Sequence, residues 1–202
     1  MTAKESSSRR LMHTRNITCK AYERDDGLWD IEAQLVDLRE EPMPVIRGGW
    51  VPAGQPLHDM RINMTVDMDM KILDIDARTA ASPTPACGQV DAAYKALIGE
   101  TIGAGFKSKI RATVGGFKGC THLTELLQPV ATTVFQALWL RIAAKRWGKD
   151  ASEAAGKEFG AELIDSCSAY QRDGQVFGVL WQKYLQRFQS GDVSAPSEGT
   201  NG

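Results

Sequence analysis

The sequence predicts an α+β fold: an antiparallel sheet of about four strands in the N-terminal half, packed against a helical C-terminal half. Three observations predict it. Apolar and polar residues alternate with period two from Ile17 to Leu35, and again from Met60 to Ala77. Pro83 and Pro85 then close the strand-like part. From Val90 onward, apolar residues recur at helical intervals.

The first hairpin is read from Ile17, Cys19 and Ala21, which alternate with Thr18, Lys20 and Tyr22. Asp25-Asp26-Gly27 is a turn signal. Trp29, Ile31, Ala33 and Leu35 then alternate with Asp30, Glu32 and Gln34. Residues 41–56 hold four prolines and three glycines and read as a loop. Met60, Ile62, Met64 and Val66 face one way in the next strand, and the series Met60, Met64, Met68 and Met70 reads as core filling rather than a cofactor box. After Met70 the parity flips, and Leu73, Ile75 and Ala77 become the apolar set. A slip of one residue reverses every face, so a turn or bulge is expected near Asp67-Met68-Asp69.

The second half reads as helices. Val90, Ala93, Tyr94, Leu97 and Ile98 have helical spacing, as do Phe106, Ile110 and Val114. A central helix is expected from Thr121 toward Arg146, with Leu123, Leu126, Leu127, Val130, Val134 and Leu138 as its inner face and Pro129 as a kink. Further helices are expected over 151–167 and 176–188. Residues 1–10 and 191–202 read as disordered tails around one domain at 11–190.

Composition narrows the function. Lys and Arg number 24 against 25 Asp and Glu, so no electrostatic footprint for nucleic acid is present. No apolar run is long enough to span a bilayer. The four cysteines lie far apart, without CxxC pairs. A cytoplasmic protein with free thiols is expected.

The stretch most suited to chemistry is Gly115 to Leu127. Glycines 115, 116 and 119 bend the chain, a helix begins, and Cys120, His122 and Glu125 fall at its start. Thr121 is the expected cap. Helix-terminal charge favours anions there and a reactive thiol at Cys120. His122, Glu125, Thr132 and Gln136 form a polar stripe with few long charges, which suits a cavity wall. The chain's only histidines are His13, His58 and His122, each at a break between elements. Histidine is the usual acid/base group near neutral pH. A shared pocket between sheet and central helix is therefore expected; local hydrogen bonding is the plainer reading of any one ring. Cys120 and His122 form a single close pair, without the second pair usual for structural zinc, so no metal is expected and zinc is the minority alternative. Neither a G-x-S-x-G elbow, a P-loop nor G-x-G-x-x-G occurs. Trp29 and Trp50 are candidates to line a site for a flat ligand, with buried core tryptophan as the plainer reading.

Four segments carry a resemblance: residues 10–15 (RLMHTR), 24–32 (RDDGLWDIE), 54–60 (GQPLHDM) and 119–127 (GCTHLTELL). Together they resemble the bacterial family known as domain of unknown function 2889, over about Leu11 to Gln136. That resemblance implies no assigned activity. It implies a setting in bacteria that degrade aromatic compounds. The expected function is a small-molecule lyase or isomerase working by acid/base chemistry without an organic cofactor, for example a retro-aldol formaldehyde release or an elimination on an aromatic catabolite. In that reading His58, oriented by Asp59, is the base. His122 and Glu125 handle the second proton. His13 and Arg15 bind an oxyanion, and Trp29 and Cys120 line the substrate site. The alternatives are a ligand- or metal-binding accessory protein without turnover, and a structural or homo-oligomeric one.

Overall fold

The computed structural model describes residues 8–45 and 48–147, with Ser168, Gln171 and Gly174. The expected helices over 151–167 and 176–188, and the tails at 1–7 and 191–202, lie outside the described residues. Contacts divide the chain into units Met1–Trp139 and Leu140–Gly202.

Four long strands make an antiparallel meander in the order β1 (His13–Glu23), β2 (Trp29–Arg39), β5 (Pro56–Val66), β6 (Ile72–Ala81). The β1–β2 turn follows its sequence signal. Gly27 takes the left-handed φ of 81°, its amide donates to Arg24 O, and Asp26 Oδ1 accepts from the Leu28 amide. Within the loop expected at 41–56, two short strands, β3 (Met43–Pro44) and β4 (Trp50–Val51), pair with each other. Trp50 is exposed rather than lining a pocket.

One face of the sheet is the core. Trp29, Ile31, Ala33 and Leu35 of β2 are buried, beside Met60, Ile62, Met64 and Val66 of β5. The β5–β6 turn turns on Asp67, whose Oδ1 accepts from the amides of Asp69 and Lys71. The parity flip occurs later than the sequence suggests, between Ile72 and Ile75 rather than at the turn. A register shift at Thr65/Val66 buries Ile72, and Leu73 is exposed instead of joining Ile75 and Ala77.

The helical half begins with tight 3-10 turns over Pro85–Leu97, of which Tyr94 and Leu97 are buried. Helix α1 (Phe106–Val114) buries Phe106, Ile110 and Val114. Helix α2 (Thr121–Trp147) runs on through Pro129 and buries all six expected residues, Leu123 to Leu138. Two contacts give its course: Arg15 bonds Glu125, and Cys19 bonds Thr133. Four strand residues rise about 13 Å and eight helical residues about 12 Å. So α2 runs alongside β1 in the same direction, and its start lies at the His13–Arg39 end of the sheet. No helix among the described residues is long and apolar enough to cross a membrane.

Candidate functional site

Strand register builds the site. Arg15 of β1, Asp37 of β2 and His58 of β5 are directly opposed in neighbouring strands. All three continue the inward parity of the core: Asp37 follows Trp29, Ile31, Ala33 and Leu35, and His58 precedes Met60. The inward row that follows the apolar core toward this end of the sheet is therefore charged. Side chains in directly opposed positions are close enough to bond.

Asp37 is the centre, with its side chain only 1% exposed. Its Oδ1 accepts from Arg15 Nε at 2.7 Å and lies 3.2 Å from His13 Nε2. Its Oδ2 accepts from Arg15 Nη2 at 2.8 Å and lies 2.9 Å from His58 Nδ1. Burial pushes this carboxyl up, but the fork of Arg15, its charge, and the bonds to His58 and His13 outweigh it and hold Asp37 at about 2. The carboxylate therefore stays ionised, and both histidines present N–H to it.

The start of α2 closes the site from the other side. His122 stacks on His58 with ring centroids 3.8 Å apart and 31° between planes. Its Nε2 is 3.8 Å from Asp37 Oδ2, and its Nδ1 is 3.9 Å from Cys120 Sγ. Burial, helped by the neighbouring His58 and Arg15, pushes His122 below the ordinary imidazole value, against the pull of Asp37 and Glu125. Glu125 accepts from Arg15 Nη1 at 3.0 Å. The three imidazoles thus meet around one carboxylate.

Tyr94 holds this helix start in place. Its Oη accepts from the Cys120 amide at 3.0 Å, donates to Cys120 O at 2.8 Å, and lies 2.9 Å from Thr124 Oγ1. Thr124 in turn donates to Val114 O. Tyr94, rather than the expected Thr121, thus satisfies the group preceding the helix. Gly119 makes this packing possible: a Cβ there would sit 2.4 Å from Val114 O and 2.9 Å from Tyr94 Oη.

Several expected placements change. Asp59 does not orient His58. Adjacent strand residues point to opposite faces, and Asp59 turns outward to Gln34 and Arg61. Asp37 takes the place assigned to it. Trp29 is buried at the far end of β2, about 26 Å along the strand from Asp37. Cys120 is buried beneath His122 and does not line an open surface. Of the polar stripe on α2, Glu125, Thr132 and Gln136 are exposed; Thr132 borders a separate cavity with Ile102 and Phe135, and of the stripe His122 turns into the Asp37 cluster with Glu125 at its edge. The site is open to solvent on one side and is not a closed chamber: His58 is 12% and His122 24% exposed, but His13 is 40% and Glu125 53% exposed.

Sequence reasoning missed two residues. Asp37 had a signal, since it occupies the next inward position after Leu35. Arg39 is the next inward position again and lies opposite His13. Its Nε is buried without a hydrogen-bond partner. The side-chain donors of Asp37, His58 and His122 lie within 4.8 Å of one another, close enough to share a metal ion. Arg15 opposes a cation there, because it grips both oxygens of Asp37 and brings its own positive charge.

A family model described as "Protein of unknown function (DUF2889)" matches residues 13–136, a span that holds every residue of this cluster. No curated protein and no solved structure matches the chain.

Proposed function

The chain belongs to this family of unknown function, and we propose that it is a small-molecule lyase or isomerase in which His58, backed by Asp37, is the general base. One observation carries the reading: a buried carboxylate that is ionised at neutral pH accepts from His58 Nδ1. With its proton on Nδ1, the ring offers a lone pair at Nε2. This is the arrangement by which a carboxylate fixes the tautomer of a catalytic histidine and stabilises its protonated form.

The chemistry needs no further reagent. In a retro-aldol cleavage, His58 takes the proton of a β-hydroxyl group. The bond between the α and β carbons breaks, and its electron pair passes into the neighbouring carbonyl, leaving an enolate. The imidazolium then returns the proton to the α carbon. In an isomerisation, the same base removes an α proton and returns it at another carbon. Both steps balance without an organic cofactor or metal. Arg39 lies opposite His13, and its buried Nε has no hydrogen-bond partner among the described residues, which supports an anionic substrate such as an aromatic hydroxy-carbonyl carboxylate. Three described cysteines are free thiols, which supports a cytoplasmic setting.

The test is turnover by the purified full chain on a panel of aromatic β-hydroxy-carbonyl compounds, with and without a carboxylate, read as loss of substrate and release of aldehyde. Wild-type protein should turn over at least one carboxylate-bearing member, and His58→Ala should lose it. Equal turnover by the variant removes His58 from the mechanism. An accessory protein without turnover is the second reading. Tight binding of one panel member without product formation would favour it.

A further inference from the structure

The geometry points to Cys120 as the positioning residue that keeps His122 neutral with its proton on Nε2, so that the two stacked, partly exposed imidazoles have opposite roles, His58 as proton acceptor and His122 as hydrogen-bond donor. This rests on the acid/base reading above and deepens it.

Each ring has one nitrogen engaged by its own neighbour. At His58 the neighbour is an acceptor: Asp37 Oδ2 lies 2.9 Å from Nδ1, which places the proton there and leaves Nε2 bare. At His122 the neighbour is a donor: the Cys120 thiol lies 3.9 Å from Nδ1, within reach of a sulfur hydrogen bond. A thiol has a proton to give and is a poor acceptor, so Nδ1 receives and Nε2 carries the ring's hydrogen. A second influence acts the same way. Nε2 is the nitrogen nearer Asp37, at 3.8 Å, so the field of the carboxylate favours an N–H on that side. At that distance the N–H is not consumed in a hydrogen bond, and His122 is partly exposed. Its proton is available to an incoming oxygen.

A doubly protonated His122 is disfavoured by burial and by Arg15, whose guanidinium already serves Asp37 and Glu125. A neutral imidazole is also the better matched partner for a carbonyl that becomes an enolate, because it donates without holding a competing full charge in the ground state. Thiol and imidazole are held in register by the same clamp. Tyr94 bonds both the amide and the carbonyl of Cys120, and Gly119 allows that close approach. The buried thiol is thus a support for His122 rather than a nucleophile facing solvent.

The experiment is long-range proton–nitrogen correlation NMR of the nitrogen-15-labelled full chain at neutral pH; with three histidines the spectrum is readable. The expected result is His58 as the Nδ1–H form and His122 as the neutral Nε2–H form. Cys120→Ser, which keeps a donor, should preserve the His122 pattern. Cys120→Ala should shrink the separation between its two ring-nitrogen resonances as the Nδ1–H form gains population. His122 found as Nδ1–H, or doubly protonated, overturns the inference, and so does a Cys120→Ala pattern identical to wild type. If the alanine variant does not fold, the wild-type tautomer together with the serine variant decides. These readouts need no substrate. The assigned tautomers in a protein that turns over nothing would uphold this inference and sink the lyase reading.

Discussion

The two ends of the sheet's inner face use the same strands, the same pleat and nearly the same burial, yet opposite chemistry. At one end Ile31 is fully buried between Ala21 and Met64. At the other, Asp37 is as deeply buried between Arg15 and His58. The apolar row is stabilised by leaving water and needs no particular partner. The charged row tolerates burial because each Asp37 oxygen meets two donor groups. Strand alternation decides which side chains go inward. It does not decide what they are, and a polar residue at an inward position needs a complete set of partners.

The sharpest break between the two ends is expected at their central residues. Asp37→Ala removes the buried acceptor that Arg15, His13 and His58 share, leaving Arg15 with Glu125 alone, and should cost about 3–5 kcal/mol in chemical denaturation. Ile31→Ala should cost a comparable amount, about 2–5 kcal/mol, by opening a cavity. Stability alone will not separate them, but acid will. Asp37 has a folded pKa of about 2 against an ordinary 3.8. Its contribution is complete above the unfolded value and disappears as pH falls through the folded one, about 2–3 kcal/mol in all. His122 adds to the same direction at milder acidity: its folded pKa lies below 6.5, so stability declines as pH drops below that value. The Ile31→Ala protein should therefore keep the acid limb of wild type, whereas Asp37→Asn should flatten its lower part. Denaturant midpoints measured between neutral and strongly acid pH check this.

A smaller effect probes the clamp that brings α2 to the charged end. Gly119→Ala places a methyl group against Val114 O and Tyr94 Oη. It should cost about 1–3 kcal/mol by overpacking. It should also shift the NMR signals of His58 and His122 while leaving those of Ile31 and Met64 unmoved. Equal disturbance at both ends would mean that the helix start is not what holds the site.

Much of this was legible in the sequence, for identifiable reasons. Three of the four long strands follow from alternation at Ile17–Ala21, Trp29–Leu35 and Met60–Val66, the fourth from Ile75 and Ala77 after the parity flip, and Asp26-Gly27 marks the first turn. The inner face of α2 follows from the spacing of its leucines and valines. The meeting of His13, His58 and His122 was inferred from their placement at element ends. Asp37 was legible in principle, since it extends the Trp29 series by one step; it was overlooked because inward positions are read as apolar. Asp59 was misassigned because proximity in sequence was given more weight than strand alternation. The bulge that exposes Leu73 shifts a register by one residue without a local signature. The bond between Arg15 and Glu125 joins residues 110 apart and depends on the course of a helix that no local pattern dictates.

The central claim is that His58 moves a carbon-bound or hydroxyl proton under the control of Asp37. The most direct measurement is incubation of the wild-type chain and His58→Gln with an aromatic β-hydroxy-carbonyl carboxylate in heavy water, followed by mass spectrometry of whatever is recovered. The account predicts one deuterium at the α carbon of substrate or product with wild type, and none above the uncatalysed background with the variant. Equal incorporation by both proteins would contradict it.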